Sequence, residues 1–176
     1  MCGIVGIYLK NKKYHKDLGK FLSGMMNNMA TRGPDSAGFA IYSSENKNKF
    51  KYSICFKDIN SSELKKNLLK KIKDAKIKII SDHIVIETSL NPSKVLNIIN
   101  KFENLSIVGY GNAIEIFKQV GNPKDVVKNF NLEKFSGSHA IGHTRMATES
   151  AITTDGSHPY STGQDECLVH NGSLSN

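Results

Sequence analysis

The sequence predicts an α+β fold in which a small subdomain interrupts a larger domain. Short apolar or β-branched runs alternate with amphipathic segments of helical spacing over residues 51–130, which indicates mixed strands and helices. Lysine is concentrated in residues 45–135, whereas residues 136–176 are rich in Gly, His, Thr and Ser. This change of composition within one chain of 176 residues favours an insertion over a uniform domain.

The first 44 residues predict a strand, a helix and a second strand. The apolar run from Cys2 to Leu9 is typical of a buried strand. Residues 15–30 predict a helix, because apolar side chains recur there at steps of three and four. Gly33-Pro34 ends this pattern, and the next strand is predicted over residues 37–42.

The middle of the chain predicts the order strand, helix, strand, strand, helix, strand, which is the βαββαβ unit of ferredoxin-like domains. The segments that predict it are residues 51–56, 62–75, 77–80, 84–88, 92–102 and 105–110. A turn separates the two central strands, and we expect its His83 to be exposed. We therefore predict an inserted subdomain over residues 50–110, between a first part (1–49) and a second part (111–176) of the larger domain. A strand over 114–120 and a short helix over 123–130 open the second part.

Composition excludes several classes of protein. No stretch approaches the roughly 18 consecutive apolar residues of a membrane span, and lysines interrupt the apolar N-terminus, which argues against a secretory signal. The three cysteines are too scattered for a disulfide scaffold or a metal site. These features predict a cytoplasmic protein without membrane partners, metal or cofactor.

The net charge of +8 suggests nucleic-acid binding only weakly. Of the 24 basic residues, only Arg32 and Arg145 are arginines, whereas phosphate and base recognition favour the arginine fork. We interpret most lysines as solvated surface and expect no nucleic-acid partner. The two arginines are informative because lysine is the habitual choice in this chain.

Cys2 has the properties of an N-terminal nucleophile. Removal of Met1 would leave a cysteine whose thiol ordinarily titrates near 8.5 and whose own α-amine titrates near 8. Such an amine can serve as the base for its own side chain, as in N-terminal-threonine enzymes. A cysteine at position 2 that merely packs in a core is the alternative.

Two further motifs contain residues that could stabilise an oxyanion or bind a carboxylate. Asn171-Gly172 follows an apolar run, and a side-chain amide beside a glycine N–H can form an oxyanion hole, although Asn-Gly alone is more often a turn. Arg145 lies in the sequence GHTRMAT and could clamp a carboxylate through two hydrogen bonds. A surface ion pair is the alternative for Arg145.

Together the motifs resemble those of the class II glutamine amidotransferases, which are N-terminal-nucleophile (Ntn) hydrolases with a four-layer αββα sandwich. The resemblance rests on MCGIVGI (1–7), RGPDSAG (32–38), GHTRMAT (142–148), SHP (157–159) and HNG (170–172), in the order of the family. It covers residues 1–45 and about 111–176 and leaves out the insert.

The resemblance implies a mechanism and a set of roles. Cys2 would attack the side-chain amide of L-glutamine, and Asn171 and Gly172 would hold the oxyanion. The substrate's α-carboxylate would bind Arg145, with Thr148 lining the same pocket. Arg32 and Asp35 match a turn beside the nucleophile, and we expect them to organise the site.

Within the family, the sequence is most similar to stand-alone amidotransferase subunits of glutamate-synthase-like enzymes, including N-methylglutamate synthase. This resemblance implies a partner subunit that carries flavin and an iron–sulfur cluster. An amidotransferase domain of a purine or amino-sugar pathway enzyme is an alternative. The turn reads Arg-Gly-Pro-Asp here and a methionine follows Arg145, whereas amino-sugar and purine-pathway enzymes differ in this turn. Asparagine synthetases share the turn but lack the run TRMATES (144–150).

One departure from the family concerns the C-terminus. The family has an aspartate about 25 residues beyond the Asn-Gly pair that binds the substrate's α-amino group, whereas this sequence ends four residues after Gly172. We expect a truncated member of low activity, lacking the last strands of the sandwich. Unpaired sheet edges would then favour self-association into a homo-oligomer.

Two other functions compete with glutamine hydrolysis. A different Ntn amidase could use Cys2, but a carboxylate clamp at Arg145 suits free glutamine better. A non-catalytic scaffold or regulatory protein could use the insert as its working surface.

Overall fold

The structure is a computed structural model that describes residues 1–147 and 151–172. Its strands are β1 (Gly3–Tyr8), β2 (Ser36–Tyr42), β3 (Phe50–Phe56), β4 (Lys76–Ile80), β5 (His83–Thr88), β6 (Leu105–Gly111), β7 (Ile114–Val120), β8 (His139–Arg145), β9 (Tyr160–Gly163) and β10 (Glu166–Leu168). Its α-helices are α1 (Leu18–Asn28), α2 (Ser61–Lys71), α3 (Pro92–Ile99) and α4 (Pro123–Asn129). Antiparallel sheets combined with separate helices agree with the predicted α+β class.

The first sheet has the order β1-β8-β2-β7, and every neighbouring pair is antiparallel. Helices α1 and α4 cover one face of it. Phe39 of β2 is fully buried there, with its ring centroid 5.4 Å from that of Phe117 and 5.9 Å from those of Phe130 and Phe135. The central strand β8 has no counterpart among the predicted elements.

The second sheet has the order β4-β5-β3-β6 and is also antiparallel. Its elements follow one another as βαββαβ along residues 50–111. One face buries Tyr52, Ile54, Ile84 and Ile86 against α2 and α3. Both helices begin at asparagines whose side chains accept hydrogen bonds from backbone N–H groups of the first turn, which is a favourable N-cap.

The other face of the second sheet covers the free edge of β7. The Ser53 hydroxyl accepts a hydrogen bond from the Ile116 N–H (2.9 Å), and Nε2 of His83 faces the Lys118 N–H at 3.5 Å. The expectation of an exposed His83 is wrong: its side chain is 0% exposed, because this edge would otherwise bury unpaired N–H groups. The second sheet therefore covers the edge of the first sheet.

The β9–β10 hairpin connects the two sheets. The carboxylate of Asp165, in its turn, accepts hydrogen bonds from the backbone N–H groups of Asn112 (2.8 Å), Ala113 (2.8 Å) and Ile114 (3.0 Å). These groups lie in the turn between β6 and β7 and at the first residue of β7, at the junction of the sheets. The hairpin then directs residues 170–172 back toward β1 and β8. Among the described helices, none has the length and apolarity needed to cross a membrane.

Candidate active site

Cys2 lies at the edge of the first sheet, beside the end of β8. The antiparallel register pairs Gly3 with Thr144, so that Cys2 is level with the residues following Thr144. The Cys2 thiol is 3.9 Å from the carbonyl oxygen of Met146, and its side chain is half-buried. The strand pairing therefore fixes the predicted nucleophile beside the Arg145 motif.

Asn171 of the predicted oxyanion-hole pair contacts the backbone of Cys2. Nδ2 of Asn171 donates a hydrogen bond to the carbonyl oxygen of Cys2 (3.2 Å). Gly172 follows with a φ of +152°, a backbone conformation that L side chains rarely adopt. Both residues are exposed. The structure thus brings together residues that are 169 positions apart in the sequence.

Arg145 and Asp35 are linked to the segment that contacts the Cys2 thiol. Arg145 is 8% exposed, and a terminal nitrogen of its guanidinium group donates to the Ala151 carbonyl oxygen (3.3 Å). The Asp35 carboxylate accepts from the Ala147 N–H (2.7 Å), and its backbone N–H donates to the Arg145 carbonyl oxygen (3.1 Å). Asp35 therefore holds the chain on both sides of Met146 in position.

The turn that carries Asp35 needs its glycine. A Cβ atom on Gly33 would lie 2.4 Å from the carbonyl carbon and oxygen of Thr144, a distance that no side chain tolerates. Arg32 is exposed, and its backbone N–H donates to the Met29 carbonyl oxygen after α1 (3.0 Å). Thr148, the other predicted substrate-binding residue, lies outside the described residues.

Three histidines cluster behind Asn171, and the sequence analysis did not predict this cluster. The ring centroid of His158 is 4.2 Å from that of His143 and 4.7 Å from that of His170. Nε2 of His143 lies 3.0 Å from the carbonyl oxygen of His170. Each histidine belongs to a different recognised motif, which is the signal in the sequence that could have grouped them.

Two histidines of the cluster, His143 and His158, are desolvated by burial. His143 and His158 are 1% and 6% exposed. Burial lowers the pKa of His143 to about 4 and that of His158 to about 3, and the nearby Arg145 acts in the same direction. Within the described structure, Nδ1 of His143 and both ring nitrogens of His158 have no hydrogen-bond partner. Buried histidines with lowered pKa values and unpaired ring nitrogens are enriched at functional sites.

A second group of potential ligands lies on the second sheet. Cys55, Asp82 and His83 are the described residues of metal-ligating type whose ligand atoms approach one another within 4.8 Å. His83 Nδ1 is 2.9 Å from the Asp82 carboxylate, while its Nε2 faces the backbone of β7. Burial raises the pKa of the Cys55 thiol to about 11, which opposes the thiolate that a metal requires. These side chains are explained by packing at the junction of the sheets.

The chain is similar in sequence to proteins named as glutamine amidotransferases or as amidotransferase-like. The chain is 47% identical over 182 residues to the glutamine amidotransferase-like protein GlxB of Rhizobium meliloti, with 100% of this chain and 60% of that protein aligned. A protein of Methanothermobacter thermautotrophicus, whose name also refers to a glutamine amidotransferase, is 29% identical over 197 residues; the match covers 100% of this chain and 62% of that protein. The chain thus spans about 60% of the length of these relatives.

A shorter match involves an aminotransferase. Over 76 residues the chain is 34% identical to the glutamine–fructose-6-phosphate aminotransferase of Methanococcus maripaludis, covering 43% of this chain and 13% of that enzyme. No family model matches the chain. The names of these relatives support the glutamine amidotransferase class for this chain.

Proposed function

We propose that this chain provides the glutaminase activity of a class II glutamine amidotransferase, with Cys2 as its N-terminal nucleophile. The observation that carries the proposal is the convergence of Cys2, Asn171 and the Arg145 segment at one end of the first sheet. The relatives named as glutamine amidotransferases support the same reaction. We further propose that residues 1–49 and 111–176 belong to an Ntn αββα domain and residues 50–110 to a ferredoxin-like insert.

The reaction begins with the processed N-terminus. Removal of Met1 frees the α-amine of Cys2, which takes the thiol proton as the sulfur attacks the side-chain carbonyl carbon of glutamine. The carbonyl oxygen becomes an oxyanion, for which the Asn171 amide and the Gly172 N–H are the proposed donors. The amine then returns the proton to the leaving nitrogen, ammonia departs, and a thioester remains. Water hydrolyses the thioester to glutamate and restores the thiol.

Substrate binding is assigned to the residues around Arg145. Its guanidinium group would take the substrate's α-carboxylate through two parallel hydrogen bonds. Thr148 is proposed to line the same pocket. Asp35 keeps the segment after Arg145 in place through the Ala147 N–H (2.7 Å), and Arg32 is proposed to support the same turn.

A partner is proposed to consume the ammonia. By similarity to glutamate-synthase-like enzymes, this partner would be a synthase subunit with flavin and an iron–sulfur cluster. In the complex, Cys2→Ala should abolish synthesis from glutamine while leaving synthesis from added ammonia intact. Loss of both activities would contradict the assignment of glutamine hydrolysis to this chain and of synthesis to the partner.

The test on this chain is glutamate release from glutamine after intact-mass confirmation that Met1 is absent. We expect Cys2→Ala to lower the rate at least 10³-fold. The matched control is Cys167→Ala, because Cys167 is also half-buried but lies in β10 beside the Tyr42 hydroxyl, at 3.6 Å. Equal rates for the two variants would overturn the assignment of Cys2.

A further inference from the structure

We propose that His143 is a positioning residue for the oxyanion hole: through its hydrogen bond to the His170 carbonyl oxygen, it fixes the orientation of the Asn171 amide. This inference rests on the proposed function, because it concerns the donor that would stabilise the transition state of glutamine hydrolysis. His143 itself makes no contact with substrate in this proposal.

The placement of His143 follows from the alternation of side chains along β8. A Cβ on Gly142 would meet Met26 of α1, and the Thr144 hydroxyl donates to the Met29 carbonyl oxygen (3.1 Å), so these two residues face α1. His143 lies between them and therefore points to the opposite face. There it meets His158 and His170.

The hydrogen bond determines the tautomer of His143. A carbonyl oxygen only accepts, so Nε2 must carry the proton that bridges the 3.0 Å to the His170 oxygen. The side chain is 1% exposed and packs against the ring of His158 at a tilt of 38°, which restricts its rotation. The His143 side chain on β8 thus holds the backbone at His170, just before the predicted oxyanion hole.

This hydrogen bond completes a connection between the nucleophile and its oxyanion donor. His143 pairs in register with Ile4, two residues after Cys2, so the β1–β8 pairing positions Cys2. The His143 side chain positions residue 170, and Nδ2 of the next residue, Asn171, lies 3.2 Å from the Cys2 carbonyl oxygen. Strand β8 therefore positions both Cys2 and Asn171. A misplacement of about 1 Å between these two residues costs roughly 10²-fold in rate.

Two amide substitutions test the role of the Nε2 proton. The amide nitrogen of glutamine reaches about as far as Nε2 of histidine, whereas the shorter asparagine places its amide near Nδ1. Once Met1 is removed, His143→Asn should lower kcat for glutamine hydrolysis by about 10- to 100-fold with little change in KM, whereas His143→Gln should stay within about 3-fold of the parent. Thermal unfolding of both variants monitors the packing that they share.

Three results would overturn the proposal: equal kcat values for the asparagine and glutamine variants, a loss that falls on KM, or activity that follows the unfolding midpoint. A ¹⁵N NMR measurement gives a readout independent of turnover. It should show the Nε2–H tautomer of His143 and a shift of the Asn171 side-chain amide in His143→Asn but not in His143→Gln. An unshifted amide overturns the positioning role. A shifted amide in a parent that hydrolyses no glutamine would instead contradict the proposed function.

Discussion

The two sheets of this protein bury different kinds of side chain. The second sheet packs Tyr52, Ile54, Ile84 and Ile86 against leucines, isoleucines and a valine of its helices, as expected from composition alone. The first sheet also has an apolar core around Phe39, but its central strand β8 ends in the buried residues His143, Thr144 and Arg145. Burial of polar groups costs free energy unless they are hydrogen-bonded.

This difference indicates where function resides. In the second sheet, local sequence pattern, caps and packing all specify the same structure, which is typical of a region selected for folding. In β8 the sequence does not show the apolar pattern that predicts a strand. The polar residues that interrupt this pattern are the ones that lie at the candidate site. The first sheet therefore gives up some stability by burying these polar groups, and the second sheet covers one of its edges.

The largest expected effect is a loss of stability when a buried side chain is removed from the core of either sheet. Phe39→Ala should lower the free energy of unfolding by about 3–5 kcal/mol, and Ile84→Ala by about 2–5 kcal/mol, because each leaves a cavity in a fully buried region. Urea unfolding measures both. At temperatures where both variants stay folded, we expect glutaminase activity to fall only in Phe39→Ala. A loss of activity in Ile84→Ala as well would contradict the separation of roles.

The next effect probes the polar end of β8. Arg145→Lys should lower kcat/KM for glutamine about 100-fold, mainly through KM, because lysine cannot form the two parallel hydrogen bonds of a guanidinium group. The reverse change, Lys118→Arg, is the control: Lys118 is also buried in the first sheet, but its amine donates to the Asp155 and Ser157 carbonyl oxygens. A KM that is unchanged in Arg145→Lys would contradict the assignment of the carboxylate site.

A third effect depends on pH and concerns the histidine cluster. The pKa values of His143 (about 4) and His158 (about 3) are depressed in the folded state below the usual 6.5. Their neutral burial therefore contributes stability that is complete above pH 6.5 and is lost as the pH falls toward 4. By pH 5 the loss is about 2 kcal/mol for each histidine. His158→Asn should reduce this slope, measured by urea unfolding at pH 7 and 5, whereas His15→Asn should retain it.

The second sheet should respond in a different pH window. Hydrogen bonds from the Thr88 hydroxyl and from Ser89 lower the pKa of Asp74 to about 2. Its contribution is present above the usual carboxyl pKa of about 3.9 and is lost as the pH falls toward 2. Hydrogen exchange between pH 6.5 and 4 should therefore show weakening of β8 before β5. Simultaneous weakening of both strands would contradict this difference.

The smallest effect tests the junction of the sheets. Asp165→Asn should cost about 1–2 kcal/mol of unfolding free energy, because a charged acceptor of three backbone N–H groups becomes neutral. Asp58→Asn is a closely matched control, since Asp58 is exposed and has a φ of 53° against 56° for Asp165. In urea unfolding, the midpoint of Asp165→Asn should be lower than that of Asp58→Asn. Equal midpoints would show that the hairpin does not stabilise the junction.

Much of the fold was predictable because its signals are local. Apolar periodicity predicts α1, α2 and α3, alternation predicts β3, and a run of β-branched residues predicts β5. Strand β8 was missed because its glycine and polar residues carry no such signal. The burial of His83 was missed for a related reason, since it depends on an edge of β7 that only the assembled sheets create.

The candidate site was predictable only in part. The motifs identified Cys2, Arg145 and Asn171, and the structure brings the three segments together. The contact of Asp35 with Ala147 and the histidine cluster join residues far apart in the sequence, so no local pattern contains them. Thr148 lies outside the described residues, and its role stays a prediction.

The central claim is that Cys2 is a nucleophile in a glutamine site. The most direct test is intact-protein mass spectrometry, with peptide mapping, of the chain without Met1 after incubation with 6-diazo-5-oxo-norleucine, a reactive glutamine analogue. We predict one adduct, located on Cys2, that excess glutamine suppresses and that Cys2→Ser lacks. An unmodified Cys2 in the folded chain, or an adduct on Cys55 or Cys167 instead, would contradict the claim.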